Sequence, residues 1–160
     1  SCSEMTNRQV ARYRQHAPAL ALDVARCLED ADYPAELAQW VLAQPLAPAP
    51  LVYATTSPGE LARIQESHGQ QAASDAVEHC FARLAQLLQG AGVDGFIIAG
   101  GETSSRITQA LGVKAFHIGP QIAPGVPWVR AIDAPLSLAL KSGNFGDEDF
   151  FDKAQEYFHD

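Results

Sequence analysis

Five residues in the middle of the chain, Gly95-Phe96-Ile97-Ile98-Ala99, restrict its fold more than any others. The run is too short and too apolar for an amphipathic surface element, and glycine bounds it on both sides. That is the pattern of a strand buried on both faces of a parallel sheet. Helices are expected on either side. From Gln70 to Gln89 the apolar positions Ala73, Val77, Cys80, Phe81, Leu84, Leu87 and Leu88 trace one face at three- and four-residue steps, stopped by Gly90 and Gly92. A second helix is expected from Thr103 to Leu111, ended by Gly112.

The remaining segments extend this alternation. Thr6 is placed to cap a helix reaching His16, and Leu37, Trp40 and Val41 mark a helix from Tyr33 to Ala43. Leu20 to Val24 is a short apolar run, and Leu51 to Thr55 reads as a buried strand ending in Thr55-Thr56-Ser57. Ala115 to Ile118, Val126 to Ile132 and Leu136 to Lys141 are further β-like pieces, with a closing helix from Asp147 to Tyr157. The stretch between Ile118 and Trp128, with three prolines and two glycines, reads as a stiff structural connection, with one wall of an adenine pocket as the other reading. Strand and helix in this order predict an α/β layered domain with a mostly parallel central sheet and helices on its faces. At 160 residues and 47% hydrophobic composition the chain suffices for one such domain.

Charge and cysteine content narrow the partners. Eleven Lys and Arg against nineteen Asp and Glu give a net charge of -8, which repels a polyphosphate backbone, so nucleic acid is not expected. No apolar stretch approaches the ~18 residues of a membrane span. Cys2, Cys27 and Cys80 are far apart and in no Cys-x-x-Cys pattern, which favours reduced thiols in a cytoplasmic protein. The five histidines are scattered, and no metal ligand set is predicted. Phosphate-loop, Gly-x-Gly-x-x-Gly and Gly-x-Ser-x-Gly motifs are all missing from the sequence, which demotes P-loop ATPases, dinucleotide dehydrogenases and serine hydrolases.

In open α/β sheets ligands bind beyond the carboxyl ends of the strands. Two of those ends are rich in glycine. Gly100-Gly101-Glu102-Thr103-Ser104 lets backbone approach a ligand at a helix N-terminus, with Thr103 and Ser104 as candidate caps. Lys141-Ser142-Gly143-Asn144-Phe145-Gly146 adds a cation to a small, polar loop able to surround phosphate oxygens. A tight βα turn and a solvated loop account for the same spacings, so both readings stand at this point.

Taken together, Ser1-Cys2-Ser3 with Thr6-Asn7-Arg8-Gln9, Gly100 to Ser104, Pro124-Gly125-Val126-Pro127-Trp128 and Leu140 to Gly146 carry a resemblance over nearly the whole chain. The sequence resembles the C-terminal, nucleotide-binding domain of the four-carbon acid sugar kinases, enzymes that phosphorylate 3-oxo-tetronate, threonate or erythronate. The resemblance implies that residues 1–160 are the ATP-binding part of a longer two-domain kinase whose N-terminal, substrate-binding domain is absent here. It implies ATP contacts at Ser1, Ser3, Gly100, Gly101, Glu102, Thr103, Lys141, Ser142 and Gly143, with Mg2+ accompanying the nucleotide. It assigns no catalytic base to this chain, implies that residues 1–160 alone do not phosphorylate sugar acids, and is compatible with a homodimer. Ser105 departs from the family pattern, which has glycine there. A non-catalytic nucleotide-binding module is the alternative function.

Overall fold

The computed structural model describes residues 3–54, 66 and 69–158. Helix α1, Glu4–Tyr13, starts at Ser3, whose hydroxyl accepts the Thr6 N–H, so the cap lies three residues before the expected Thr6. Strand β1 spans Ala19–Ala21. The apolar run does not continue through Val24, because the Asp23 carboxylate accepts the Arg26 N–H and caps a short helix α2, Val24–Glu29. Helix α3, Tyr33–Leu42, carries proline in its first turn. Strand β2, Leu51–Tyr53, leads through undescribed residues to the long helix α4, Gln70–Gly90. Strand β3, Gly95–Ala99, and helix α5, Gly101–Ala110, follow. Strands β4, Phe116–Ala123, β5, Val126–Ala131, and β6, Ser137–Lys141, precede the last helix α6, Phe150–Glu156.

The class is α/β with helices on both sheet faces, and the pairing is mixed. β1 and β2 form a parallel pair, and a second sheet has the order β3-β6-β5-β4. In it β3 and β6 are parallel, whereas β5 is antiparallel to both β6 and β4. Loop length is the physical reason: only Pro124 and Gly125 separate β4 from β5, and a two-residue connection makes a hairpin and not a crossover. The proline-rich stretch expected as a stiff connection is therefore mostly strand. Its register shifts between Ile118 and Gln121, around Gly119 and Pro120, on the edge strand where a missing N–H costs little.

Period-two alternation sends successive residues to two cores. On one face Val126, Trp128 and Ala139 pack with Tyr13 of α1 and Phe150, Phe151 and Ala154 of α6, and the Trp128 indole N–H donates to Ala154 O at 2.8 Å. On the other, Val129, Ala131 and Leu138 pack with Ala85 of α4 and Ile107 and Leu111 of α5. A third cluster, with Leu22, Tyr33, Leu37, Cys80, Leu84 and Leu88, seats α3 and α4 against β1 and β2. Among the described residues no helix is long and apolar enough to cross a membrane.

Candidate functional site

The parallel register of β3 and β6 places two strand ends side by side. Ala99 pairs with Lys141, and the Gly100 N–H donates to Lys141 O at 2.7 Å. The chain then diverges into α5 on one side and the loop 142–146 on the other. Gly100 turns it with φ +113° and ψ 130°, a conformation essentially confined to glycine. This residue, and neither Thr103 nor Ser104, occupies the N-cap position of α5. Having no side chain, it leaves the first N–H groups of the helix without a side-chain cap. A Cβ on Gly101 would lie 3.7 Å from Ser142 Oγ, so the two strand ends border one small surface.

The remaining predicted residues divide by position. Ser142 is exposed and Gly143 half-buried on that surface. Glu102 is exposed and paired with Arg106 at 3.4 Å. Thr103 is buried, and its hydroxyl donates to Glu78 Oε1 of α4 at 3.0 Å. Ser105 is exposed and lies beyond the first turn, while Ser1 lies outside the described residues, as do Thr55, Thr56 and Ser57. Lys141, expected as a cation facing a phosphate, has its whole side chain inside, at 0% exposure. Its ammonium donates to Thr6 Oγ1 at 2.9 Å and to Gly143 O, and burial depresses its pKa to about 8.

Helix α1 is therefore part of the site. Ser3 Oγ lies 3.0 Å from Gly143 O and 2.7 Å from Thr6 Oγ1, and its single hydroxyl hydrogen can serve either. The Thr6 hydroxyl also reaches Gly143 O, at 3.1 Å, and the Met5 N–H donates to Asn144 Oδ1 at 3.2 Å. Gln9, fully buried, donates from Nε2 to Phe145 O and Asp147 O. A Cβ on Gly146 would come within 2.9 Å of Phe150, which fixes the far end of the loop. Gln9 and Asn144 appear in the motif strings, but nothing in their spacing says that each ties α1 to the loop across more than 130 positions. Glu78 carried no signal beyond its place at the edge of the α4 apolar stripe. Burial pushes its carboxyl up, and its Oε2 has no hydrogen-bond partner among the described residues.

Beside this surface the two sheets separate. A cavity of about 370 Å³ lies between β2 and β3, lined by Thr6, Val10 and Arg14 of α1, by Leu51 to Ala54, by Phe81 and Leu84 of α4, and by Phe96 to Ala99. Thr6 and Ala99 link it to the loop and to the Gly100 turn. The molecule thus offers a mostly apolar cavity that reaches Ala99, the residue before a backbone-lined, glycine-capped helix terminus, a combination suited to a ligand with an apolar ring and an anionic end.

Comparison with known proteins places the chain in a family. Residues 1–151 match the family described as the nucleotide-binding C-terminal domain, and the chain belongs to that family. It is 61% identical over 99% of its length to the 3-oxo-tetronate kinase of Pectobacterium atrosepticum and 58% identical to that of Salmonella typhimurium, the matches covering 38% of each relative. The chain thus spans well under half the length of the curated relatives it matches. A crystal structure of a Haemophilus influenzae protein of the DUF1537 family has a TM-score of 0.92 at 52% identity, covering 99% of this chain and 39% of that one. A Bordetella bronchiseptica domain of unknown function, 21% identical, shares the fold with a TM-score of 0.78.

Proposed function

We propose that residues 1–160 are the ATP-binding domain of a kinase that transfers the γ-phosphoryl group of ATP to a hydroxyl of a four-carbon sugar acid. The observation that carries the proposal is the register of β3 against β6, which sets the uncapped N-terminus of α5 beside the Lys141-to-Gly143 loop. The name 3-oxo-tetronate kinase on relatives of about 60% identity supports that substrate within the wider class that includes threonate and erythronate.

The residues present fit a nucleotide. N–H groups at the start of α5 that the N-cap residue leaves without a side-chain cap, and the space left beside Ser142 by Gly101, suit phosphate oxygens, while the cavity between β2 and β3 suits the base. Among the described residues no group of three or more His, Cys, Asp or Glu is placed to hold a metal. Mg2+ would therefore be carried chiefly by phosphate oxygens and water, Glu102 being the exposed carboxylate of the turn. Bound Mg-ATP supplies the transferable phosphoryl group. Gly100, Gly101, Glu102, Thr103, Ser142 and Gly143 orient it, Ser3 and Lys141 shape the loop, and the acceptor hydroxyl and its base belong to the part of the protein outside this chain. On this reading residues 1–160 bind ATP and do not phosphorylate sugar acids by themselves, and the intact protein is compatible with a homodimer.

The test is turnover of 3-oxo-tetronate with ATP by the intact protein. Gly101→Val is expected to lower kcat/KM by at least ~100-fold by displacing the phosphates, since even a 1 Å misplacement costs about that much. An intact, folded protein that neither binds nor hydrolyses ATP would overturn the proposal.

A further inference from the structure

Among the described residues Lys141 is the one charged side chain that is wholly shielded from solvent. Its ammonium meets two neutral oxygens, Thr6 Oγ1 and Gly143 O. Among the described residues no carboxylate pairs with it. The acidic groups on the elements around it are engaged elsewhere: Glu4 of α1 with Arg8, Glu102 of α5 with Arg106, Asp147 and Asp149 with Lys153, and Asp152 with His16. A buried cation with only neutral partners is costly, and folding tolerates it where the charge does something else.

The position shows what that is. Lys141 ends β6 directly behind the loop whose outer face is Ser142 and Gly143, beside the glycine-capped start of α5. We infer that Lys141 is a positioning residue that ties the loop to the first turn of α1 from within, and whose charge is completed by an anionic phosphate bound on the loop's outer face. The inference rests on the nucleotide reading of that face, and it differs from a direct lysine–phosphate contact, because Nζ points inward to Thr6 and Gly143.

A physical consequence separates this role from a merely structural one. By linkage, an anion that favours the ammonium is itself favoured by it, so binding and protonation of Lys141 reinforce one another. In the free protein burial holds this lysine at a pKa of about 8, and a bound phosphate raises it. Above that pH the protein must take up a proton to bind, and affinity falls. A lysine in water, with a pKa near 10.4, would leave the same range flat.

The experiment is calorimetric titration of the intact protein with Mg-ATP between pH 7 and 9, in buffers of different ionisation heat. The expected result is a Kd about tenfold higher at pH 9 than at pH 7, from the change in protonated fraction, with about half a proton taken up per nucleotide near pH 8. Lys141→Met is expected to bind weakly with a flat profile, and Lys141→Arg to recover affinity with a flat profile. If either variant fails to fold, the wild-type profile and proton uptake decide alone. Wild-type binding that is flat across the range, with no proton uptake, would overturn the role of Lys141 and leave the nucleotide reading standing. No binding at any pH would overturn both.

Discussion

At the scale of single residues, the motifs bring forward most of the side chains that shape the site without saying which of them meet. Thr6 lies in the first turn of α1, where its hydroxyl meets Ser3, Lys141 and Gly143 at once. Thr6→Val keeps the volume and leaves the Lys141 ammonium short of an acceptor, which is expected to destabilise the protein by about 2 kcal/mol. A urea midpoint unchanged from wild type would contradict this. Glu78 presents the opposite case. Its folded carboxyl is raised above the ordinary value, so the native state retains that proton to higher pH and loses stability once the group must ionise. Glu78→Gln keeps an acceptor for Thr103 and removes the charge. Its melting temperature should exceed that of wild type at pH 8, with little difference at pH 4, and scanning calorimetry at the two pH values would measure it. The partners of neither residue were legible beforehand, because a hydroxyl or carboxyl inside a helix announces no partner until the helix is docked.

At the scale of elements, periodicity was informative where it ran long or was closed by glycine. The expected helix from Gln70 to Gln89 and strand from Gly95 to Ala99 match α4 and β3 to within a residue, because burial on a defined face sets both patterns. Short elements escaped it. The six residues of α2 follow an apolar run whose end is decided by the Asp23 cap, and the β4–β5 hairpin lies under three prolines. The βα turn after β3 was legible as a glycine pair, although the structure divides its labour. Gly100 is needed for its backbone, and Gly100→Ala should cost about 1–3 kcal/mol through strain at positive φ. Gly101 has no such requirement, and with only Ser142 Oγ near its absent Cβ, Gly101→Ala should change stability by less than about 0.5 kcal/mol. Chemical denaturation of the two variants side by side would reveal the asymmetry, and equal losses would refute it.

At the scale of the whole molecule, one mixed four-stranded sheet and one parallel pair stand apart with a cavity of about 370 Å³ between them, roofed by α1 and floored by α4. The sequence predicted the α/β class and two glycine-rich strand ends, and the structure sets those ends side by side. It did not predict the gap, since a cavity follows from how strands fail to pair and no single segment encodes that. Helix α1 joins the parts: Thr6 lines the cavity, binds Lys141 and stands seven residues from Tyr13, whose hydroxyl donates to Ala49 O just before β2. The central claim is that this junction binds a nucleotide at the start of α5. Its most direct test is calorimetric titration of the intact protein with Mg-ATP, wild type beside Gly101→Val. The account predicts one ATP per chain for wild type, and binding weakened at least ~100-fold in the variant, about 2.7 kcal/mol, with the melting temperature preserved. Unchanged affinity in a folded Gly101→Val protein would place the nucleotide elsewhere and contradict the account.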